Sequence, residues 1–180
     1  MQFERLGQHS PSDITTLFTH VFSDSEGANA GLQIGALTDQ MQRECNSDEL
    51  MPFIAHQQGT LFAAVFFSQL YFKHSSKVKA MILSPMAVAS SQQGKGIGQG
   101  LIHFALNDLK AYGVDFVVTY GDPKFYSKTG FEPMSDQQLI PPFALSFPHG
   151  WQAVSLTGKA LSELVGEISC VAPLNQAEYW

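Results

Sequence analysis

The chain has 180 residues, 44% of them hydrophobic, and includes 14 Phe, 5 Tyr and 2 Trp. That is enough apolar material for one substantial core and excludes a disordered chain. The formal net charge of −6 and pI near 5.4 give no general attraction to phosphate backbones or anionic lipid, so neither nucleic acid nor a membrane is an expected partner.

The opening "MQFERLGQHS" has no basic region leading into an apolar core, and no apolar run reaches the roughly 20 residues of a membrane helix, so a cytoplasmic protein is expected. Cys45 and Cys170 stand alone, without a C-x-x-C pair, and are expected as free thiols. His9, His20, His56, His74, His103 and His149 lack the spacing that puts two imidazoles on one helical face, so no metal is expected.

"QFERL" predicts a short strand, and "SPSDITTLFTHVF" a helix capped by Ser10 and Pro11 with Ile14, Leu17, Phe18 and Val21 on its apolar face. "SDSEG" is expected as a polar link to a second helix over 29–43, which contains Gly31 and Gly35 and has Leu32, Ala36, Leu37 and Met41 on one side. Three extended runs follow, "MPFIAH", "LFAAVFFSQLYF" and "KVKAMILSPMAV", joined through "QQGT" and "KHSSK" as an antiparallel meander. The pattern then becomes strand, helix, strand: "MILSPMAV", a helix to about Tyr112 with Ile97, Leu101, Phe104, Ala105 and Leu109 inward and Gly113 at its end, then "VDFVVTYG". That spacing makes a parallel crossover. "DPKFYSKTG" predicts a short helix ending at Gly130, "FEP" a strand, and "WQAVSLTG" and "EISCVAP" two more after a proline-rich loop. No linker or repeat divides the chain, so residues 1–180 are expected as one domain of mixed α/β class.

"SSQQGKGIGQGLIHFAL" places Gly94, Gly96, Gly98 and Gly100 at the mouth of the crossover helix. The first amides of a helix have no intrahelical acceptor and carry partial positive charge, and glycines clear side chains from the approach, so the stretch suits a diphosphate. The Walker pattern fails because Lys95 is followed by Gly96 where Ser or Thr is needed. The dinucleotide pattern G-x-G-x-x-G/A fails because its sixth position is Gln99 or Leu101. The pattern Q/R-x-x-G-x-G/A fits, with Gln93, Gly96 and Gly98.

That last pattern resembles the acetyl-CoA signature of the GNAT superfamily of N-acetyltransferases. "LSPMAVASSQQGKGIGQGLI" is similar to a family block in which an L-G-P-L-A-V strand leads into G-x-G-I-G, and "VVTYGDPKFYSKTGFEP" is similar to a bacterial G-D-P-x-Y-Y block ending in G-F. The resemblance spans roughly residues 78–133, with Ser84 where the subgroup usually has Gly and Ser90 where it often has Pro. It implies the GNAT fold: a mostly antiparallel mixed sheet flanked by helices, with a parallel, splayed pair of strands at the cofactor site.

The resemblance also implies roles. Backbone groups of Met86, Ala87 and Val88 would hold the pantetheine arm and acetyl carbonyl, with the Val88 N–H as oxyanion donor. Gln93 and the amides of Gly94, Lys95, Gly96, Ile97, Gly98 and Gln99 would hold the diphosphate. Tyr126, the tyrosine of Y-x-x-x-G-F, would protonate the departing thiolate. The strand before the signature carries no carboxylate for a base; Glu26 is the candidate, beside Asp24, with His56 and His74 as weaker choices. Phe143, Phe147 and Trp151 are expected as walls of an acceptor pocket. The implied activity is acetyl transfer from acetyl-CoA, without a metal, to a primary amine of a small molecule, amino acid or protein. A catalytically silent acyl-CoA-binding sensor or interaction module is the alternative, and self-association as a homodimer stays open.

Overall fold

The structure, a computed structural model, describes residues 1–5, 9–74 and 77–180. Leu6 of the expected first strand, and Ser75 and Ser76 of the expected "KHSSK" turn, lie outside the described residues. The chain gathers into two units, Met1–Phe67 with Pro85–Ala105, and Ser68–Ser84 with Leu106–Trp180.

The first unit begins with β1 (Gln2–Arg5) and α1 (Pro11–Glu26). Ser10 and Asp13 form a reciprocal cap, the Asp13 amide donating to Ser10 Oγ at 3.2 Å and the Ser10 amide to Asp13 Oδ2 at 3.0 Å, with Pro11 in the first turn. The expected link "SDSEG" is instead the end of α1. Ser25 Oγ donates back to the Val21 carbonyl at 3.0 Å, and the helix stops only at Gly27, whose φ of +97° breaks it.

α2 (Ala28–Glu44) buries Gly31, Gly35, Leu37, Thr38 and Met41, whereas Leu32 is 66% exposed and Ala36 is also on the outer side. The inward face is set by the glycines that weaken helix propensity. A Cβ at Gly31 would stand 2.5 Å from the Thr19 carbonyl oxygen and against Ser23 Oγ, and one at Gly35 would strike Thr19 Oγ1. The two glycines therefore let α2 lie directly on the backbone of α1.

β1 pairs antiparallel with β2 (Leu50–Gln57), which turns into β3 (Thr60–Phe72) through Gln58 and Gly59, with φ of 50° and 79°, as in a mirror-image hairpin turn. The hydrogen-bonded order in this unit is β1-β2-β3-β4, with β4 at Ala80–Val88. Successive β3 side chains face opposite ways. Phe66 meets Phe18 of α1 with ring centroids 5.3 Å apart, while Phe67 meets Phe53 at 5.6 Å, and Phe53 meets Phe104 of α3 (Ile97–Ala111) at 6.2 Å. The continuous apolar run of β3 thus reflects burial on both faces. α3 ends as expected, with Gly113 at φ +85° and its amide on the Lys110 carbonyl.

The second unit holds β5 (Phe116–Tyr120), α4 (Pro123–Tyr126), β6 (Glu132–Pro133), β7 (Leu139–Ile140), β8 (Trp151–Ser155) and β9 (Gly166–Cys170). Its strands run β4-β5-β8-β6, with β9 beside the end of β3 and β7 beside β9. The β4–β5 pairing is parallel, from Ala80↔Phe116 to Leu83↔Thr119, and β8 is antiparallel to β5. The architecture is the expected α/β mixed sheet with antiparallel strands, a parallel β4–β5 pair and flanking helices. Among the described residues no helix is long and apolar enough to cross a membrane.

Candidate functional site

β4 runs past its last rung with β5, at Leu83, to Val88. Pro85 sits two residues beyond that rung, where a residue without an N–H does not interrupt the β4–β5 ladder. Met86 and Val88 are half-buried and Ala87 is buried. The next amide, Ala89, donates to the Phe62 carbonyl at 2.8 Å, which anchors the strand end to β3.

Between β4 and α3 the chain makes one short turn, Ser90–Gln92, and then the glycine stretch. Gln93 Nε2 donates to the Val88 carbonyl at 3.0 Å, so the first motif residue ties the loop to the end of β4. Gly94 and Gly96 have φ of +73° and +78°, which other residues rarely adopt, and a Cβ at either would meet no atom within 4 Å. Their absent side chains leave open space over the loop.

The Gly100 amide closes on the Gly96 carbonyl at 2.9 Å, so the amides of Ile97, Gly98 and Gln99 fall in the helical turn that has no internal acceptor. No acidic residue lies in that turn. Lys95 folds back on the loop, with Nζ 2.9 Å from the Ser91 carbonyl and 3.1 Å from Gln92 Oε1, adding positive charge to the helix dipole. Gly100 serves packing: a Cβ there would come 2.9 Å from Phe3 Cζ.

In the second unit, the "GDP" letters build the seat of Tyr126. Asp122 caps α4 by accepting the Lys124 amide at 2.9 Å, and Pro123 fills the first helical position. Gly121 is bare because the Tyr126 ring lies on it, and a Cβ there would be 2.6 Å from Cε2. Phe125 and Phe131 close edge-on around the ring at 5.0 and 5.6 Å. Burial pushes the Tyr126 phenol above the usual tyrosine range; the nearby Thr119 side chain opposes this and the charge of Asp122 adds to it. The phenol is therefore protonated at neutral pH.

Sequence reasoning overlooked the supports of this seat. Thr119 is fully buried, and Gln152 Nε2, also buried, lies 3.2 and 3.3 Å from the carbonyls of Gly121 and Gly150. The only sequence signal for them is a polar residue inside each of two apolar strands.

Asp24 and Glu26 lie on the last turn of α1 rather than in a loop. Asp24 accepts from Ser90 Oγ at 2.6 Å, which links α1 to the turn after β4, while Glu26 is exposed. His56 Nε2 stands 3.1 Å from Glu4 Oε1. Trp151 is no pocket wall: it is fully buried, its Nε1 donating to the Leu139 carbonyl at 3.1 Å and its ring against Trp180 at 5.9 Å. Phe147 is 50% exposed and Phe143 half-buried. Both cysteines are free, and burial pushes the thiols up to about 11 for Cys45 and about 12 for Cys170. No group of three metal-ligating side chains occurs among the described residues.

Residues 51–133 match the family model described as an acetyltransferase (GNAT) domain. The chain is 30% identical over 166 residues to the uncharacterized N-acetyltransferase YjhQ of Escherichia coli (strain K12), covering 90% of this chain and 87% of that one. Its fold is similar to that of the GNAT family N-acetyltransferase YhbS from Escherichia coli, crystallised in complex with CoA, with a TM-score of 0.81 at 21% identity over 97% of this chain and 92% of that one. It is similar also to a GNAT family acetyltransferase from Brucella melitensis in complex with acetyl-CoA, with a TM-score of 0.73 at 19% identity over 96% and 97% of the two chains. The chain belongs to the GNAT family of N-acetyltransferases.

Proposed function

We propose that residues 1–180 form one acetyl-CoA-dependent N-acetyltransferase domain that passes an acetyl group directly to a primary amine of a small molecule, an amino acid or a protein. The observation that carries this reading is the loop from Gln93 to Gln99. Two glycines at positive φ with open space above them lead into helical amides without internal acceptors, and the first turn of α3 carries no acidic residue. That donor set suits a diphosphate. The CoA and acetyl-CoA of the two fold neighbours support the same ligand here.

In the proposed reaction, backbone groups of Met86, Ala87 and Val88 hold the pantetheine arm, and the amine attacks the thioester carbonyl carbon. The Val88 N–H stabilises the oxyanion, with the Gln93 bond to the Val88 carbonyl fixing the loop beside it. As the C–S bond breaks, its electron pair goes to sulfur, which takes the Tyr126 proton. The raised phenol supports this role, because it keeps the acid protonated at neutral pH. Glu26, exposed at the end of α1, is the proposed acceptor of the amine's proton.

The test is calorimetric binding of acetyl-CoA together with thiol release across amines that include polyamines, amino acids, aminoglycosides and short peptides. Binding with amine-dependent release is expected. Binding without release from any amine would move the reading to a silent acyl-CoA module, and no binding would refute it.

A further inference from the structure

Asp24 lies on the last turn of α1, where the negative end of the helix dipole opposes a carboxylate and no basic residue offsets it. The helix that carries the charge gains nothing from it. Oδ2 instead accepts a hydrogen bond from Ser90 Oγ at 2.6 Å, within the range of a charge-assisted O–H···O⁻ bond. Ser90 opens the turn Ser90–Gln92 that leads into the glycine stretch.

The two ends of this bond differ in how firmly they are held. α1 is fixed, with Ile14, Phe18 and Val21 buried, Phe18 against Phe66, and α2 lying on its backbone through Gly31 and Gly35. The loop from Ser90 to Gly96 is exposed apart from half-buried Gln92. Its own bonds are local: the Gln92 amide on the Ala89 carbonyl at 2.7 Å, Gln93 Nε2 on the Val88 carbonyl, and Lys95 Nζ on the Ser91 carbonyl and Gln92 Oε1. The bond from Ser90 to Asp24 reaches a packed helix 66 positions away. A glycine-rich loop must be ordered before its amides can hold an anion together, and that ordering weakens binding unless the fold supplies it beforehand.

We propose that Asp24 is a positioning residue for the cofactor loop: through Ser90 it fastens the start of the loop to α1, so that the amides from Gly94 to Gln99 are set before the diphosphate arrives. This rests on the reading of the Gln93–Gln99 loop as the diphosphate site. The bond acts by removing loop freedom that the ligand would otherwise have to remove. As a bare charge Asp24 does the opposite, because a carboxylate near the loop repels a diphosphate. The hydrogen bond and the charge therefore act with opposite signs and can be separated.

The experiment titrates wild type, Ser90→Ala, Ser90→Thr, Asp24→Ala and the Ser90→Ala/Asp24→Ala double variant calorimetrically with acetyl-CoA and with S-acetylpantetheine, which lacks the diphosphate. Ser90→Ala changes no charge. It is expected to weaken acetyl-CoA binding by about threefold to tenfold, the worth of one hydrogen bond, while S-acetylpantetheine binds as it does to wild type. Ser90→Thr, which keeps the hydroxyl, should restore the affinity. In the Asp24→Ala background Ser90→Ala should have no further effect; the charge is absent from both members of that comparison, so the cycle isolates the bond. Wild-type acetyl-CoA affinity in Ser90→Ala, an equal loss for both ligands, no rescue by Ser90→Thr, or the same loss in the Asp24→Ala background would overturn the proposal. Equal affinity of the wild type for the two ligands would overturn the reading of the loop as the diphosphate site, and this proposal with it.

Discussion

Replacing Gly121 with alanine probes the link between a glycine and the rate of a reaction that the glycine never touches. The added Cβ would stand 2.6 Å from Tyr126 Cε2, 3.4 Å from Cδ2 and 3.6 Å from Cζ. Ordinary contact begins near 3.4 Å, so the ring must recede by at least 3.4 − 2.6 = 0.8 Å. Phe125 and Phe131, at 5.0 and 5.6 Å, oppose that movement. Gly121 does not have a positive φ, so alanine brings no backbone strain of its own. A displacement of about 1 Å at a reacting group costs up to about a hundredfold in rate, and overpacking of this kind costs about 1–3 kcal/mol of stability. Thiol release should therefore show kcat reduced by about tenfold to a hundredfold, with KM for acetyl-CoA unchanged and a lower melting temperature. An alanine variant with wild-type kcat would refute the argument that Gly121 seats a catalytic ring.

The remaining predictions concern stability and pH. Gly31→Ala adds about 1 kcal/mol of helix propensity but drives Cβ to 2.5 Å from the Thr19 carbonyl oxygen, so a net loss of about 1–3 kcal/mol is expected in thermal melts, and a stabilised variant would contradict the α1–α2 packing. For Asp115, burial would raise the carboxyl, but hydrogen bonds from Lys159 Nζ at 2.8 Å, the Lys79 amide at 3.0 Å and Thr157 Oγ1 at 3.0 Å outweigh it and lower the carboxyl overall. A lowered carboxylate stabilises the fold above its unfolded value of about 3.9, and that contribution disappears as pH falls through the folded value. Asp115→Asn should thus cost about 1–3 kcal/mol in denaturant titrations at neutral pH and much less in strong acid, whereas an equal loss at both would count against the ion pair. Because the Tyr126 phenol is raised, kcat should not fall with rising pH before about 10; a falling limb near pH 8 that Tyr126→Phe removes would exclude this account of the acid.

The features legible in sequence were those set by local chemistry. The Ser10–Pro11 cap, the apolar runs of β2 to β4, the Gly113 stop and the glycines before α3 each announce a backbone event within a few residues. Features that depend on distant neighbours were misread or missed. Gly31 and Gly35 look like weaknesses in a helix until Thr19 and Ser23 are placed against them, and Leu32 looks inward until the glycines take that face. Ser23–Glu26 look like a link because they are polar, yet nothing before Gly27 breaks a helix. Trp151 looks like a ligand wall because it follows a loop, but its place on β8 buries it. β7 has two residues and leaves no pattern. In the site, the motif glycines were legible and the braces around Tyr126 were not, since Thr119 and Gln152 acquire meaning only from the carbonyls they reach.

The central claim is that the Gln93–Gln99 loop binds the diphosphate of acetyl-CoA. Calorimetric titration of the wild type and Gly96→Val with acetyl-CoA and with S-acetylpantetheine, which carries the thioester but no diphosphate, tests it most directly. The wild type should bind acetyl-CoA at least about tenfold more tightly than S-acetylpantetheine, and Gly96→Val, forcing a branched side chain into φ +78° and over the open loop, should abolish that preference. Equal affinity of the wild type for the two ligands, or a preference that survives Gly96→Val, would contradict the claim.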